Sequence, residues 1–250
     1  MHTPIQGKDS LTAYYQSKVT DSLQHTNAEY AAMIHSTDES VGQIMHLQDS
    51  LDISDQTLVI FTSDNGGLEL FDITQNDPIR AGKGSAYEGG VRVPMIIRWP
   101  KAKRNIATID EPVITMDVFA TVANVLGTGG AKDYHQDGVN LLPLLEQETE
   151  VLDREALYWH YPHYHPGGAS PYSAIRQGNY KLIESLEAKH LELYNLEDDI
   201  GETNNLISKV PEVANDLYNQ LETWRKEVDA QEPVPNPKYD SLKAQEFYRY

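Results

Sequence analysis

Residues 58–67 read LVIFTSDNGG and join a continuous apolar run to an abrupt polar end. The run is rich in β-branched residues and bounded by polar ones, which is typical of a strand covered on both faces. Asp64 and Asn65 follow the run, beside two glycines. In an open α/β sheet, ligands bind outside the carboxyl ends of the strands. The stretch therefore predicts a buried strand with a candidate ligand site at its end.

The composition narrows the class of protein. The 250 residues are 40% hydrophobic and 23% charged, and they contain no long apolar segment, as expected of a soluble globular chain without a membrane span. The formal net charge of -18 argues against binding to nucleic acid or to an anionic membrane, because both require a basic surface. The chain has no cysteine, which excludes disulfides, thiolate metal sites and a cysteine nucleophile.

Further segments extend an α/β pattern. Apolar residues recur at helical spacing between about Ser10 and Leu51 and predict one or two helices. VPMIIRWP, residues 93–100, predicts a second buried strand, and TMDVFATVANVLG predicts a helix that ends at Gly127. This alternation indicates a mainly parallel sheet flanked by helices.

The chain changes character after about residue 150. Short strand-like runs separated by turn signals predict an antiparallel sheet, in which Gly178-Asn179 can form a two-residue hairpin turn. A helix from about Glu212 to Val228 would pack against this sheet. We therefore predict an α/β region over residues 1–150 and a smaller α+β subdomain with a tail over residues 151–250.

Two short segments carry side chains suited to chemistry. Asp64 and Asn65 offer a carboxylate and an amide oxygen, which suit a hard divalent cation, although an Asp-Asn turn that caps the next element is the alternative. Lys83 lies between Gly82 and Gly84, where it can meet an oxyanion as a compact cation. The alternative for Lys83 is a solvated lysine in a flexible loop, and the spacing does not match a phosphate-binding P-loop.

Histidines and one arginine form a second group of candidates. WHYPHYH places His160, His163 and His165 among aromatic residues, where they can form a zinc site or a sugar-stacking wall, or simply pack. Their spacing matches no standard zinc motif. Arg176 can bind an anionic or hydroxyl-rich substrate, or lie in a surface ion pair. Considered alone, His2 predicts no function, because it lies close to the chain terminus.

Four segments together resemble a known family. HTPIQ, SDNGG, GKGSAYEGGVRVPMIIRWP and the late AIRQGNYKLI…ELYNLEDDIGETNNL occur in the order and at roughly the separations found in the sulfatases of the alkaline phosphatase superfamily. The resemblance spans nearly the whole chain, and the block around Lys83 is highly specific. It implies an alkaline-phosphatase-like α/β fold with a small C-terminal subdomain, and hydrolysis of a sulfate ester.

The resemblance implies roles for four residues. Asp64 and Asn65 resemble one pair of ligands for the family's calcium ion. Lys83 resembles the lysine that contacts the sulfate and the bridging ester oxygen. His2 resembles the histidine of the H-x-P motif, which faces the leaving group. Such an arrangement suits the reaction, because negative charge builds on the departing oxygen.

The resemblance also implies where the substrate binds. In sulfatases the segment matching residues 158–172 lies near the pocket mouth, so we predict that His160 or His163 contacts the substrate. Arg176 is a further candidate. The tyrosine and histidine content of this segment favours a sulfated carbohydrate, while an aryl sulfate stays open as substrate.

Other parts of the family pattern have no match here. Sulfatases use a formylglycine made from a cysteine or serine in a C/S-x-P-S/A-R segment upstream of the H-x-P motif, and Ser170, in SPY, lacks the arginine and lies in the wrong region. We therefore expect a C-terminal portion of a sulfatase that is inactive alone. We also expect it to expose apolar surface, and so to associate with itself or with a missing N-terminal portion. The family implies export to the periplasm or the cell exterior, although the sequence shows no signal peptide.

Two alternatives stay open. The first is a phosphonate or phosphate ester hydrolase of the same superfamily, which has a similar metal site and differs in the segment that contains the nucleophile. A non-catalytic glycan-binding relative would keep the fold without the nucleophile.

Overall fold

A computed structural model describes residues 2–102, 108–128, 137–165 and 169–240 of the chain. None of the helices in these ranges has the length and hydropathy needed to cross a bilayer. The helices are α1 (Asp9–Gln16), α2 (Ala28–Ser50), α3 (Glu88–Val91), α4 (Met116–Val125), α5 (Leu142–Leu145) and α6 (Pro211–Glu227), with short 3₁₀ turns at Ser54–Gln56 and Leu70–Asp72. The strands are β1 (Val59–Thr62), β2 (Met95–Arg98), β3 (Leu157–Tyr161), β4 (Tyr172–Gln177), β5 (Tyr180–Ser185) and β6 (His190–Asn195).

The predicted strands and helices of the first part of the chain are present. LVIFTS forms β1, VPMIIRWP forms β2, and the two strands are hydrogen-bonded to each other. Helix α4 ends just before Gly127, whose φ of 68° is the left-handed conformation that a C-terminal glycine supplies. The mainly parallel arrangement of a larger sheet stays a prediction.

The predicted antiparallel sheet and helix of the last part of the chain are confirmed. Strands β3 to β6 lie in sequence order in one sheet, and β5 pairs antiparallel with both β4 and β6. Gly178, with a φ of 56°, and Asn179 form the hairpin turn between β4 and β5. Helix α6 buries Leu217 and Leu221, and it packs against β4 and β5 as predicted.

Side chains alternate along these strands and give the sheet two different faces. We call one the loop face, because its residues Ala174, Ile183 and Tyr194 share a hydrophobic core with Ala86 of the loop before α3. We call the other the helix face, because it carries Ser173, whose hydroxyl accepts a hydrogen bond from Arg225 of α6. The cavity described below lies on the loop face.

Contacts divide the chain into two compact units that interleave along the sequence. The first contains Met1–Glu39, Thr62–Pro94 and Tyr158–Tyr250, and the second contains Ser40–Phe61 and Met95–Leu157. Both glycine-rich segments and, apart from Leu157, the four-stranded sheet belong to the first unit. The predicted domain boundary near residue 150 follows the order of the sequence, and it stays a prediction.

The second unit has its own core and an exposed apolar surface. Its core consists of leucines at positions 141, 144, 145 and 152. Ile44, Leu47, Ile96 and Phe119 have 56%, 56%, 63% and 67% of their surface exposed. Exposed apolar surface agrees with the expectation from the sequence, and self-association stays a prediction.

Candidate functional site

The SDNGG segment and the glycine-rich loop around Lys83 are joined through their backbones. The amide of Gly66 donates a hydrogen bond to the carbonyl oxygen of Gly90, at 3.0 Å, and the amide of Lys83 donates one to that of Gly67, at 3.0 Å. A Cβ atom at Gly66 would lie 1.6 Å from the carbonyl oxygen of Gly89, so only glycine permits this approach. We call residues 63–67 and 81–90 together the glycine frame.

Asn76 connects the two parts of the glycine frame. Its side-chain nitrogen donates to the carbonyl oxygens of Gly67 and Ala81, each at 3.0 Å, and its side-chain oxygen accepts from the amide of Gly67 at 3.1 Å. Nothing in TQNDP, residues 74–78, distinguishes Asn76 from an ordinary loop asparagine, so the sequence does not predict its role.

Asp64 and Asn65 stand just beyond the end of β1, as predicted. Asp64 is exposed, and the Asn65 side-chain nitrogen donates to the carbonyl oxygen of Gly66 at 2.9 Å, which leaves the amide oxygen available as a ligand. Calcium takes roughly six to eight oxygen ligands. In the described part of the chain, no three His, Cys, Asp or Glu side chains lie close enough together to hold a metal. Asp64 and Asn65 thus supply two oxygen donors, and their predicted role as calcium ligands stays a prediction.

A cavity of about 340 Å³ lies between the glycine frame and the loop face of the sheet. Pockets that bind small molecules have volumes from about 300 Å³ upward, so this cavity is near the lower limit. Lys83 is among the residues that line it, with Glu69, Tyr87, Tyr172, Ile183, Ser185, His190 and Glu192. The lysine that the sequence predicts as a sulfate contact is thus part of a cavity wall.

Two tyrosine hydroxyls hold a carboxylate in this wall. Tyr87 and Tyr194 each donate a hydrogen bond to Oε2 of Glu192, at 2.8 Å, and the Arg80 guanidinium lies 3.9 Å from the same oxygen. Burial, followed by the hydrogen bond to Glu192, raises the pKa of Tyr194 to about 12. Burial also raises the pKa of Tyr87. Both hydroxyls therefore stay protonated donors at neutral pH.

A buried ionic cluster ties α3 to the sheet below the cavity. The Lys181 ammonium contacts Glu88 at 2.7 Å and Glu202 at 3.0 Å, and Glu202 accepts a 2.6 Å hydrogen bond from the amide of Glu88. All three side chains have at most 2% of their surface exposed. Burial raises the pKa of Glu202, while Lys181 lowers it in part. Nothing in the sequence pattern indicates this cluster, because charged residues are mostly exposed.

His165 lies directly against the glycine frame. A Cβ atom at Gly84 would be 2.2 Å from Nδ1 of His165, and Gly84 has a φ of 91°. The ring therefore fills the space that a side chain at position 84 would need, next to Lys83. From the sequence, His165 is only one of three clustered histidines, and its contact with Gly84 is not predicted.

His2 and His163 lie at exposed positions. A ring nitrogen of His2 is 2.9 Å from the carbonyl oxygen of its neighbour Thr3, and the ring of His163 stands edge-on to that of Tyr161, with 5.5 Å between centroids. Neither belongs to the described residues that line the cavity. Their predicted roles as leaving-group and substrate contacts stay predictions.

His160 and Arg176 lie on opposite faces of the sheet. The ring nitrogens of His160 are 2.7 Å from the hydroxyl of Ser173 and 2.7 Å from the carbonyl oxygen of Gln231, so the histidine is held on the helix face, away from the cavity. Arg176 lies on the loop face, and its guanidinium is 4.0 Å from Glu88. As neither is among the described lining residues, their predicted substrate contacts stay predictions.

Two family models match the chain. Residues 1–128 match the model described as "Sulfatase", and residues 81–227 match the model described as "N-sulphoglucosamine sulphohydrolase, C-terminal". The two matches overlap in the region that contains Lys83 and β2.

Individual proteins and structures agree with these models. A protein named "Sulfatase" from Formosa agariphila is 33% identical over 97% of this chain and 49% of its own length, so the chain spans about half of this relative. Human "Steryl-sulfatase" is 38% identical over 60% of the chain and 27% of its own length. The crystal structure of "Ps i-CgsB in complex with k-i-k-neocarrahexaose" is 28% identical and superposes with a TM-score of 0.78 over 99% of this chain and 52% of that one.

Proposed function

This chain belongs to the sulfatase family, and from that premise we propose that it forms the sulfate-contacting and alcohol-recognising part of a sulfuric ester hydrolase. The observation that carries the proposal is the glycine frame, whose backbone hydrogen bonds link the SDNGG segment to Lys83. The cavity beside Lys83 offers room for the alcohol part of a sulfate ester.

The proposed chemistry follows from charge. Cleavage of the ester bond develops negative charge on the departing oxygen. The Lys83 ammonium stabilises that charge, and His2 donates a proton to the same oxygen. Asp64 and Asn65 would hold two positions on a calcium ion, which when bound neutralises sulfate oxygens and lowers the pKa of the attacking group.

We propose that these 250 residues alone do not turn over a sulfate ester. They contain no cysteine, and no serine in a C/S-x-P-S/A-R pattern, from which the family's formylglycine could form. The test compares the product of the complete reading frame with the 250-residue polypeptide, using 4-nitrophenyl sulfate. Turnover by the 250 residues alone would disprove this part of the proposal.

Lys83→Ala tests the sulfate-contacting role in the product of the complete reading frame. We expect kcat/KM for 4-nitrophenyl sulfate to fall by about 100-fold or more, as when one charge-stabilising group is removed. Lys226→Ala, an exposed lysine in the last turn of α6, is the matched control and should leave kcat/KM within about twofold. Equal activity of both variants would refute the role of Lys83.

We propose that the substrate is a sulfated carbohydrate. We also propose that the protein acts in the periplasm or outside the cell. The support is the similarity over 99% of the chain to a protein crystallised with an oligosaccharide, whereas the steroid-sulfate relative matches over 60%. Sulfate release from sulfated oligosaccharides and from a steroid sulfate, measured by ion chromatography, distinguishes the two substrate classes.

Two alternative functions have their own outcomes. Turnover of 4-nitrophenyl phosphate, but not of 4-nitrophenyl sulfate, would instead indicate a phosphate ester hydrolase. Glycan binding without any turnover would indicate a non-catalytic relative.

A further inference from the structure

The polar edge of the cavity is built from two adjacent strands, β5 and β6. His190 and Glu192 are two residues apart on β6 and therefore project to the same side, the loop face of the sheet. Ser185 of β5 lies directly opposite His190, and Ile183 lies opposite Glu192. All four line the cavity. Two adjacent strands thus present a histidine, a carboxylate and a hydroxyl beside an apolar side chain.

Glu192 is a hydrogen-bond acceptor fixed in advance. Both tyrosine hydroxyls that bind it donate to Oε2, at 2.8 Å. Its other oxygen, Oε1, lies 3.5 Å from Nε2 of His190. The carboxylate is therefore held through one oxygen and keeps accepting capacity on the other. A fixed acceptor binds a hydroxyl with less loss of conformational entropy than a mobile one.

His190 is placed at the open side of the cavity. Its side chain has 58% of its surface exposed, against 18% for Glu192. A neutral imidazole has one donor and one acceptor nitrogen, and a sugar hydroxyl is both donor and acceptor. The pair can therefore hold two neighbouring hydroxyl groups, one donating to Glu192 and one bonded to His190.

The charges of the cavity select against a second anion. Glu69 and Glu192 are two carboxylates in its wall. Glu69 is itself held by the backbone amide of Asn76, at 3.0 Å. A sulfate group near them would meet like charges, which costs binding free energy. Apart from Lys83, the chemistry of the walls suits a neutral, hydroxylated ring.

We propose that this cavity is a subsite for the sugar ring that carries the scissile sulfate, with Glu192 and His190 as specificity-determining residues that bind its free hydroxyl groups. The inference rests on the proposed sulfatase function and deepens it. It identifies the substrate ring as one with two adjacent free hydroxyls and no second sulfate at the positions facing β6.

The kinetic test uses the product of the complete reading frame and two substrates, galactose 6-sulfate and 4-nitrophenyl sulfate, the latter lacking sugar hydroxyls. For Glu192→Gln and His190→Ala we expect kcat/KM to fall at least about tenfold more on galactose 6-sulfate than on the aryl sulfate. The charge-matched control is Glu227→Gln, at the exposed end of α6, which should change neither value by more than about twofold. Equal losses on both substrates, or no loss on galactose 6-sulfate, would overturn the subsite and leave the sulfatase function intact.

A binding test separates the subsite from the function. Saturation-transfer NMR with unsulfated galactose should give ring-proton signals for the wild type and the control, and weaker ones for both cavity variants. If the wild type hydrolyses neither ester but shows this pattern, the subsite stands and the proposed function fails. Unaltered signals in both variants would refute the subsite. Glu192→Gln alters the group that accepts hydrogen bonds from Tyr87 and Tyr194 and can therefore disturb their positions. His190 is largely exposed, so His190→Ala tests the subsite without this disturbance.

Discussion

The backbone amide of Lys83 donates a hydrogen bond to the carbonyl oxygen of Gly67, and the two atoms are 3.0 Å apart. A main-chain contact with the segment that follows β1 therefore positions the lysine backbone. Gly66 binds Gly90 in the same way. Changes that disturb the frame should consequently affect stability and Lys83 together, and several substitutions test this directly.

Asn76→Ala removes the side chain that bridges the two parts of the frame. It leaves a carbonyl oxygen and an amide of Gly67 without their side-chain partner, so we expect the free energy of unfolding to fall by about 1–3 kcal/mol. Urea denaturation measures this loss. Its exposed neighbour, changed as Gln75→Ala, should lie within about 0.5 kcal/mol of the wild type. Equal stability of both variants would show that the bridge is dispensable.

Gly84→Ala should be more damaging than Gly178→Ala. Both glycines have positive φ, 91° and 56°, but a Cβ atom at position 84 meets His165 at 2.2 Å, whereas position 178 has no heavy atom within 4 Å. We expect a cost of about 1–2 kcal/mol at position 178 from backbone strain, and a larger one at position 84. Adding His165→Ala to Gly84→Ala should restore part of the loss in thermal denaturation. No recovery in the double variant would contradict the proposed clash.

Glu202→Gln should change how stability depends on pH. The raised pKa of Glu202 means that the folded chain binds a proton more tightly than the unfolded chain. Its contribution to the free energy of unfolding therefore decreases as pH rises from about 4.5 through the raised pKa. We expect the stability of the wild type relative to the variant to decline over that interval in urea denaturation between about pH 4 and 8. A difference that grows with pH would refute the assignment, and Glu212→Gln supplies an exposed control.

His160→Ala should destabilise the fold more than His163→Ala, because only His160 is held by hydrogen bonds to other segments of the chain. His160 loses two 2.7 Å hydrogen bonds that join β3 to β4 and to the segment after α6, so we expect a loss of about 1–3 kcal/mol. His163 is exposed, so its substitution should cost less than about 0.5 kcal/mol. Thermal denaturation of both variants decides this. The opposite order of stabilities would contradict the observed placement.

The sequence predicted those parts of the fold that depend on local periodicity. β-branched apolar runs became β1 and β2, and Gly178-Asn179 became a hairpin because its turn conformation is a local property. The pattern between Ser10 and Leu51 predicted α1 and α2, yet Ile44 and Leu47 are exposed. Periodicity reports which face is apolar, and burial depends on what lies against that face.

The residues of the candidate site could be predicted from the sequence only where they belong to a recognisable motif. Lys83, Asp64 and Asn65 could be predicted because their spacing along the chain is characteristic. Asn76 and Glu192 were missed, since each acts through contacts with residues distant in sequence. Tyr87 and Glu192 are separated by 105 positions and meet only because the loop packs on the sheet.

The glycine frame also bears on how such a protein can evolve. Because a main-chain hydrogen bond to Gly67 positions the lysine backbone, strand residues across the cavity that make no bond to the frame, such as Ser185 and His190, can vary without disturbing it. Substitutions at positions 185 and 190 should therefore alter the proposed recognition of the alcohol while Lys83, the proposed sulfate contact, stays in place. The glycines, by contrast, tolerate no such exploration, since a single methyl group at position 66 would meet a backbone oxygen at 1.6 Å. Directed evolution toward new sulfate esters should accordingly start from β5 and β6 and leave the loops untouched.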